Sequence, residues 1–144
     1  MSLAMVPIND QITTKVNELP QDVYETNVPD DSVVRYDTNG MMLPYIVAVY
    51  SGFVQLNMER GITGPRQDLG QAYARFMCVA PTDRAARLVA DAVTNKLTGF
   101  QPTDAGMLMP EVVGKPYTMY DSNSRPSKYV VEITYKYAVN TVVS

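Results

Sequence analysis

The sequence predicts an α+β fold: a mainly antiparallel β-sheet with an N-terminal helix and one long amphipathic helix packed on one face. Three observations lead there. Residues 71–80 read as an extended strand, and after one tight corner residues 84–98 repeat with a helical period. Residues 129–139 alternate apolar and polar at the far end of the chain. Shorter β-prone runs, set apart by turn residues, fill the space between and before them, which suits helices lying against an antiparallel sheet. No repeat or domain-length linker interrupts the chain, so residues 1–144 are expected to form one domain. That length suffices to bury roughly two-thirds of the unfolded surface.

Taken in order, residues 9–19 read as the first helix. Asn9 or Asp10 can cap it by accepting orphan backbone N–H groups. Ile8, Ile12, Val16 and Leu19 form one narrow apolar stripe. Pro20 ends the run, because the residue before a proline avoids the helical region. So thin a stripe suits a helix laid on one side of a sheet or docked on a neighbour. Val23 and Tyr24 suit a short strand that residues 32–36 continue. Residues 28–31 and 37–40 carry turn chemistry, with Asn39-Gly40 ready for positive φ. Residues 43–51 are the clearest interior strand: Tyr45, Val47 and Val49 alternate with Ile46, Ala48 and Tyr50, so both faces are apolar or aromatic. Pro44 falls at its start, where a missing donor is tolerated.

Residues 53–57 suit a short strand, and residues 52–70 as a whole read as a long connection. Its part from Glu59 to Gly70 is rich in glycine and mixed charge. It has neither the Gly-x-x-x-x-Gly-Lys-Ser/Thr nor the Gly-x-Gly-x-x-Gly spacing of a phosphate cradle. Long connections in compact domains are often functional. In the strand over 71–80, Ala72, Ala74, Phe76 and Cys78 share one face, and Tyr73, Arg75, Met77 and Val79 the other. The small residues let a helix approach closely. Arg75 calls for an ion-pair partner or a place at a rim.

The helix after the corner is the best specified element. Thr82 is a natural N-cap, Asp83 suits the positive helix end, and Asp83–Arg87 is an i,i+4 pair. Ala85, Leu88, Val89, Ala92, Val93 and Leu97 are expected to form its buried face. Gly99 supplies a left-handed cap and Phe100 folds back on the last turn. Residues 101–110 read as loop, with Met107, Leu108 and Met109 exposed, either as an adaptable contact or as a lid over the sheet edge. Residues 112–120 and 129–139 form a closing hairpin, and Pro116 places the former at an edge.

Composition removes several functions. The chain has no histidine, hence neither the commonest general base nor the commonest metal ligand. Its single cysteine, Cys78, allows no intrachain disulfide and reads as a small buried residue. A reactive thiol would lack a histidine to activate it. The only adjacent acidic pair, Asp30-Asp31, lies in a turn and reads as solvated. No enzyme activity, metal or cofactor is therefore expected. Net charge is −3 without a long basic run, which argues against DNA gripped through its phosphates. The longest apolar run, residues 43–50, is far short of the ~20 residues that cross a membrane. The opening residues lack a signal-peptide pattern, so the chain is expected to be made in a cytoplasm. Ten tyrosines against three phenylalanines and no tryptophan favour large surfaces with polar tips, as at protein interfaces.

The order and wording of residues 44–139 resemble the tail terminator (tail completion) proteins of long-tailed bacteriophages. The likeness lies in the strand Leu-Pro-Tyr-Ile-Val-Ala-Val-Tyr, a long loop, and then Ala-Tyr-Ala-Arg-Phe-Met-Cys-Val-Ala-Pro. It continues with the helix from Arg84 through Leu97-Thr-Gly-Phe100 and a final two-strand element. This resemblance implies a non-enzymatic virion protein of the neck. Six copies form a ring that caps the tail tube, stops its polymerisation and provides the joint to the head connector or head-closure protein. DNA passes through the lumen without specific binding. Such a ring closes by heterologous contacts, one patch meeting a different patch. By composition, the loops 52–70 and 101–112 are the candidate contacts, with Arg60, Arg66 and Asp68 as charged rim and Met107, Leu108 and Met109 as apolar anchors. Another neck component is the nearest alternative, although those tend to be barrel-like. A small ligand-binding α+β module is the alternative outside that class.

Overall fold

The structure, a computed structural model, describes residues 5–25, 35–38, 40–51, 54–55, 67–103, 105–111, 118–121 and 128–142. Among these lie two helices and a seven-stranded sheet. The elements are α1 (Met5–Val16), β1 (Asp22–Glu25), β2 (Tyr45–Tyr50), β3 (Val54–Gln55), β4 (Gln67–Ala80), α2 (Asp83–Leu97), β5 (Met109–Glu111), β6 (Met119–Asp121) and β7 (Lys128–Val142). The sheet order is β1-β2-β4-β7-β5, with β3 added beside β4 and β6 beside β7. Every pairing is antiparallel except β1 with β2, which is parallel. The expected α+β class therefore holds, with a mixed, mostly antiparallel sheet.

The long β4–β7 ribbon is the spine. It runs in register from Gln67 opposite Val142 to Ala80 opposite Tyr129. β2 lies on the other side of β4, with Ile46 opposite Cys78 and Ala48 opposite Phe76. One face of this spine is closed by both helices. Ile8, Ile12 and Val16 of α1 and Val89, Val93 and Leu97 of α2 join Ile46, Ala48, Ala72, Ala74, Phe76, Cys78, Tyr135, Tyr137 and Val139 in one buried cluster. Alanines 72 and 74 leave room for the helices, and Phe76 fills the centre edge-on to Tyr50 and Tyr135.

The second helix is held by local chemistry. The Ala85 N–H donates to the Thr82 hydroxyl oxygen at 3.2 Å, Asp83 pairs with Arg87 at 3.2 Å, and Gly99 adopts φ +82°. Phe100 packs back against the core and its N–H donates to the Leu97 carbonyl. Its buried side differs from expectation. Ala86 and Ala90 face the sheet with Val89, Val93 and Leu97, whereas Leu88 is 56% exposed. Alanine at the contact lets the helix sit close to the strands, and that rotates Leu88 out to solvent.

Other boundaries moved as well. The first helix starts at Met5, so Pro7 lies in its first turn, where the N–H groups have no intrahelical acceptor to lose. Asn9 is therefore an interior residue instead of a cap, and its Oδ1 accepts from the Tyr137 hydroxyl at 3.0 Å. The helix runs to Val16; Asn17 N–H still donates to the Thr13 carbonyl at 2.8 Å, and tighter turns follow through Leu19. The expected connection over 52–70 contains β3 and the first residues of β4, and the expected loop over 101–110 leads into β5. The turn at 28–31 with Asp30-Asp31, residues 32–34 of the expected strand, and Pro116 lie outside the described residues.

Candidate functional site

Cys78, Tyr135 and Tyr137 are ionisable groups buried on the covered face, whereas Tyr45 is buried on the opposite one. Cys78 is fully buried, and burial pushes its thiol up to about 12. Burial likewise raises the Tyr50 and Tyr137 hydroxyls to about 12, with the Thr13 hydrogen bond opposing the rise at Tyr50. The Tyr50 hydroxyl meets Thr13 Oγ1, which donates to Glu25 Oε1 at 3.0 Å. These contacts fasten α1 to the sheet. Among the described residues no group of three or more His, Cys, Asp or Glu side chains could hold a metal. An open groove of about 420 Å³ is lined by Asp10, Gln11, Thr14, Lys15, Glu18 and Phe100. Within it Lys15 pairs with Glu18 at 3.5 Å and lies 5.6 Å from the Phe100 ring centre, while Asp10 makes no ion pair with a described residue.

The opposite face of the sheet is built differently. Period-two alternation sends Tyr73, Arg75, Met77 and Val79 there from β4. Cross-strand register then aligns rows. Val49, Arg75, Thr134 and Glu111 form one, Tyr73, Lys136 and Met109 another, and Val47, Met77 and Glu132 a third. Near Tyr45, Val47 and Val79 this face is closed by Met42, whose hairpin (Tyr36 bridged to Met42) is anchored by Arg35. Arg35 donates two hydrogen bonds to the Asp22 carboxylate, at 2.7 and 2.9 Å. Farther along β4 the face opens. Arg75 is exposed, Tyr73, Met77, Glu132 and Lys136 are half-buried, and Lys136 pairs with Glu111 at 3.5 Å. Arg75 and Glu132 make no ion pair with any described residue. Tyrosine, methionine and arginine together on one open surface match the composition of protein interfaces.

The residues singled out from sequence fall unevenly around this surface. Met109 stands in the row of Tyr73 and Lys136 and is 49% exposed, and Met107 is 51% exposed. Leu108 corrects the expectation of an exposed triplet. It is fully buried beneath the helices, its N–H donates to the Phe100 carbonyl at 2.8 Å, and its own carbonyl accepts from Gly99 N–H at 3.1 Å. It anchors the loop inward while its neighbours face out. The backbone of Asp68 lies in β4 opposite Thr141, so that residue belongs to a strand and not to a loop. Arg60 and Arg66 lie outside the described residues. Sequence reasoning passed over Glu111, Glu132 and Lys136 as functional candidates. Alternation places Glu132 and Lys136 on the face away from the core, but only strand pairing sets Glu132 opposite Met77, diagonal to Arg75, and Lys136 opposite Tyr73.

A scan of known protein-family models finds none that matches this chain, and a search of curated proteins finds no relative.

Proposed function

We propose that the chain is a structural subunit of a phage tail, forming a ring that caps the tail tube, stops its growth and receives the head connector. The observation that carries this reading is the two-sided layer. Helices close one face of the sheet, and the other presents an open Tyr-Arg-Met surface bounded by the exposed Met107 and Met109. Such a subunit offers two unlike sides, which head-to-tail closure requires. The sequence resemblance supplies the identity of the assembly. The absence of histidine agrees with a role in which binding and steric blocking suffice. A net charge of −3 suits a passage that DNA crosses without being held. No helix among the described residues is long and apolar enough to cross a membrane. In this reading the protein is assembled in the host cytoplasm and resides at the neck end of the virion tail, without cofactor or catalysis.

Native mass spectrometry of the purified chain, with and without assembled tail tubes, tests the proposal. A hexamer, or six copies bound per tube end, is the expected result. A chain that stays monomeric and ignores tubes overturns it.

A further inference from the structure

We infer that copies of this chain join by seating the outer face of α2 of one copy on the open sheet face of the next. This deepens the ring reading above and rests on it. The argument begins with Leu88, which stands 56% exposed on the solvent side of α2. Arg84 and Asp91 are exposed four residues before it and three residues after it. Spacing of i, i+4 and i+7 places all three on one stripe, cation first, apolar residue in the middle, anion last, spanning about 10 Å. Neither Arg84 nor Asp91 makes an ion pair with any described residue.

The open sheet face carries the complementary array. Arg75 stands opposite Thr134, and Met77 opposite Glu132, in adjacent rows of β4 and β7. Arg75 and Glu132 are therefore diagonal neighbours about 7–8 Å apart, with half-buried Met77 and Thr134 on the crossing diagonal. Laid across this array, the helix stripe brings Arg84 to Glu132, Leu88 onto Met77, and Asp91 to Arg75. Four charges without a described ion-pair partner become two pairs, and an isolated exposed leucine gains an apolar floor. Arginine's reach absorbs the difference between the two spans. Met42 closes the face over Tyr45, Val47 and Val79, with Met77 half-buried at the margin of that cluster, and Arg75 and Glu132 lie beyond it, exposed and half-buried. The two patches lie on opposite sides of one subunit, so the contact is heterologous and runs head to tail, forming a ring where the rotation per subunit closes.

The test uses two full-length charge reversals, Arg75→Glu and Asp91→Arg. Within one subunit the two residues are separated by the sheet, so they cannot compensate each other there. Both are exposed, and each variant is expected to melt with the wild type. Alone, each places like charges at the contact, and its self-association by native mass spectrometry and sedimentation should weaken at least ~10-fold. Mixed in equal amounts, the two variants regain opposite charges at every contact of an alternating ring. The expected result is an even-numbered assembly that contains both chains. Wild-type rings that neither reversal weakens, or weakened variants that mixing does not restore, overturn this contact and leave the ring reading in place. A wild-type chain that remains monomeric at every concentration and on tubes overturns both.

Discussion

Along β4, Ala72, Ala74, Phe76 and Cys78 are fully buried beneath two helices, while Tyr73, Arg75 and Met77, one residue out of step, are half-buried or exposed. The strands are the same and the backbone hydrogen bonds are shared, so the difference lies in what the side chains meet. The covered face is buried, with small residues under the helices and aromatic rings between them. The open face mixes charge with aromatic and methionine surface. A sheet that must stay folded as a monomer needs only one face closed; the other remains available for a partner.

Alkali is the broadest way to break this contrast, because the three groups with raised pKa among the described residues lie on the covered face or at its edge. Cys78, Tyr50 and Tyr137 are neutral when protonated, and each is held near 12 against ordinary values of 9.0 and 10.0. The sign follows: their contribution is intact below pH 9, and is lost as pH climbs through the unfolded values toward 12. Circular dichroism with tyrosinate absorbance should show cooperative unfolding in that window, with Cys78 resistant to alkylation until it begins. Tyr50 and Tyr137 ionising near 10 while the helices persist, read as the tyrosinate amplitude that Tyr50→Phe and Tyr137→Phe remove, would show that the covered face admits water.

Substitution makes the same comparison one residue at a time. Phe76→Ala removes the ring between Tyr50 and Tyr135 and should cost about 3–5 kcal/mol in urea unfolding. A loss under about 1 kcal/mol would mean that the cluster collapses into the space. Arg75→Ala, the adjacent residue on the open face, should change monomer stability by no more than about 0.5 kcal/mol. A larger loss in the dilute monomer would make Arg75 part of the subunit's own packing and remove it from the interface.

Much of the covered face was legible in the residues. The caps at Thr82 and Gly99, the Asp83–Arg87 pair and the alternation of β4 and β7 all depend on neighbours within a few positions. So the predicted second helix, and the split of β4 into two faces, match the structure closely. Strand extents and the approach to β5 were less legible. Asp68 and Gly70 are poor strand formers, yet both pair with β7, because a long partner strand outweighs local propensity. The triplet at Met107, Leu108 and Met109 reads as uniformly exposed until Leu108 is seen turned beneath the helices. Asp68 also shows how a residue chosen for loop composition can belong to a strand.

By itself, then, the amino-acid sequence determined the α+β class, the existence of both helices, the stop at Gly99 and the alternating faces, because these follow from short-range backbone sterics, capping and periodicity. Only the tertiary structure decided that β1 runs parallel to β2 and that α2 turns Ala86 and Ala90 inward and Leu88 outward. It also decided that Arg75, Glu111, Glu132 and Lys136 share one open surface. Each of these depends on which distant segments pack together. A side chain's periodicity says that it has two faces to choose from, and the partner across the gap decides which one meets water.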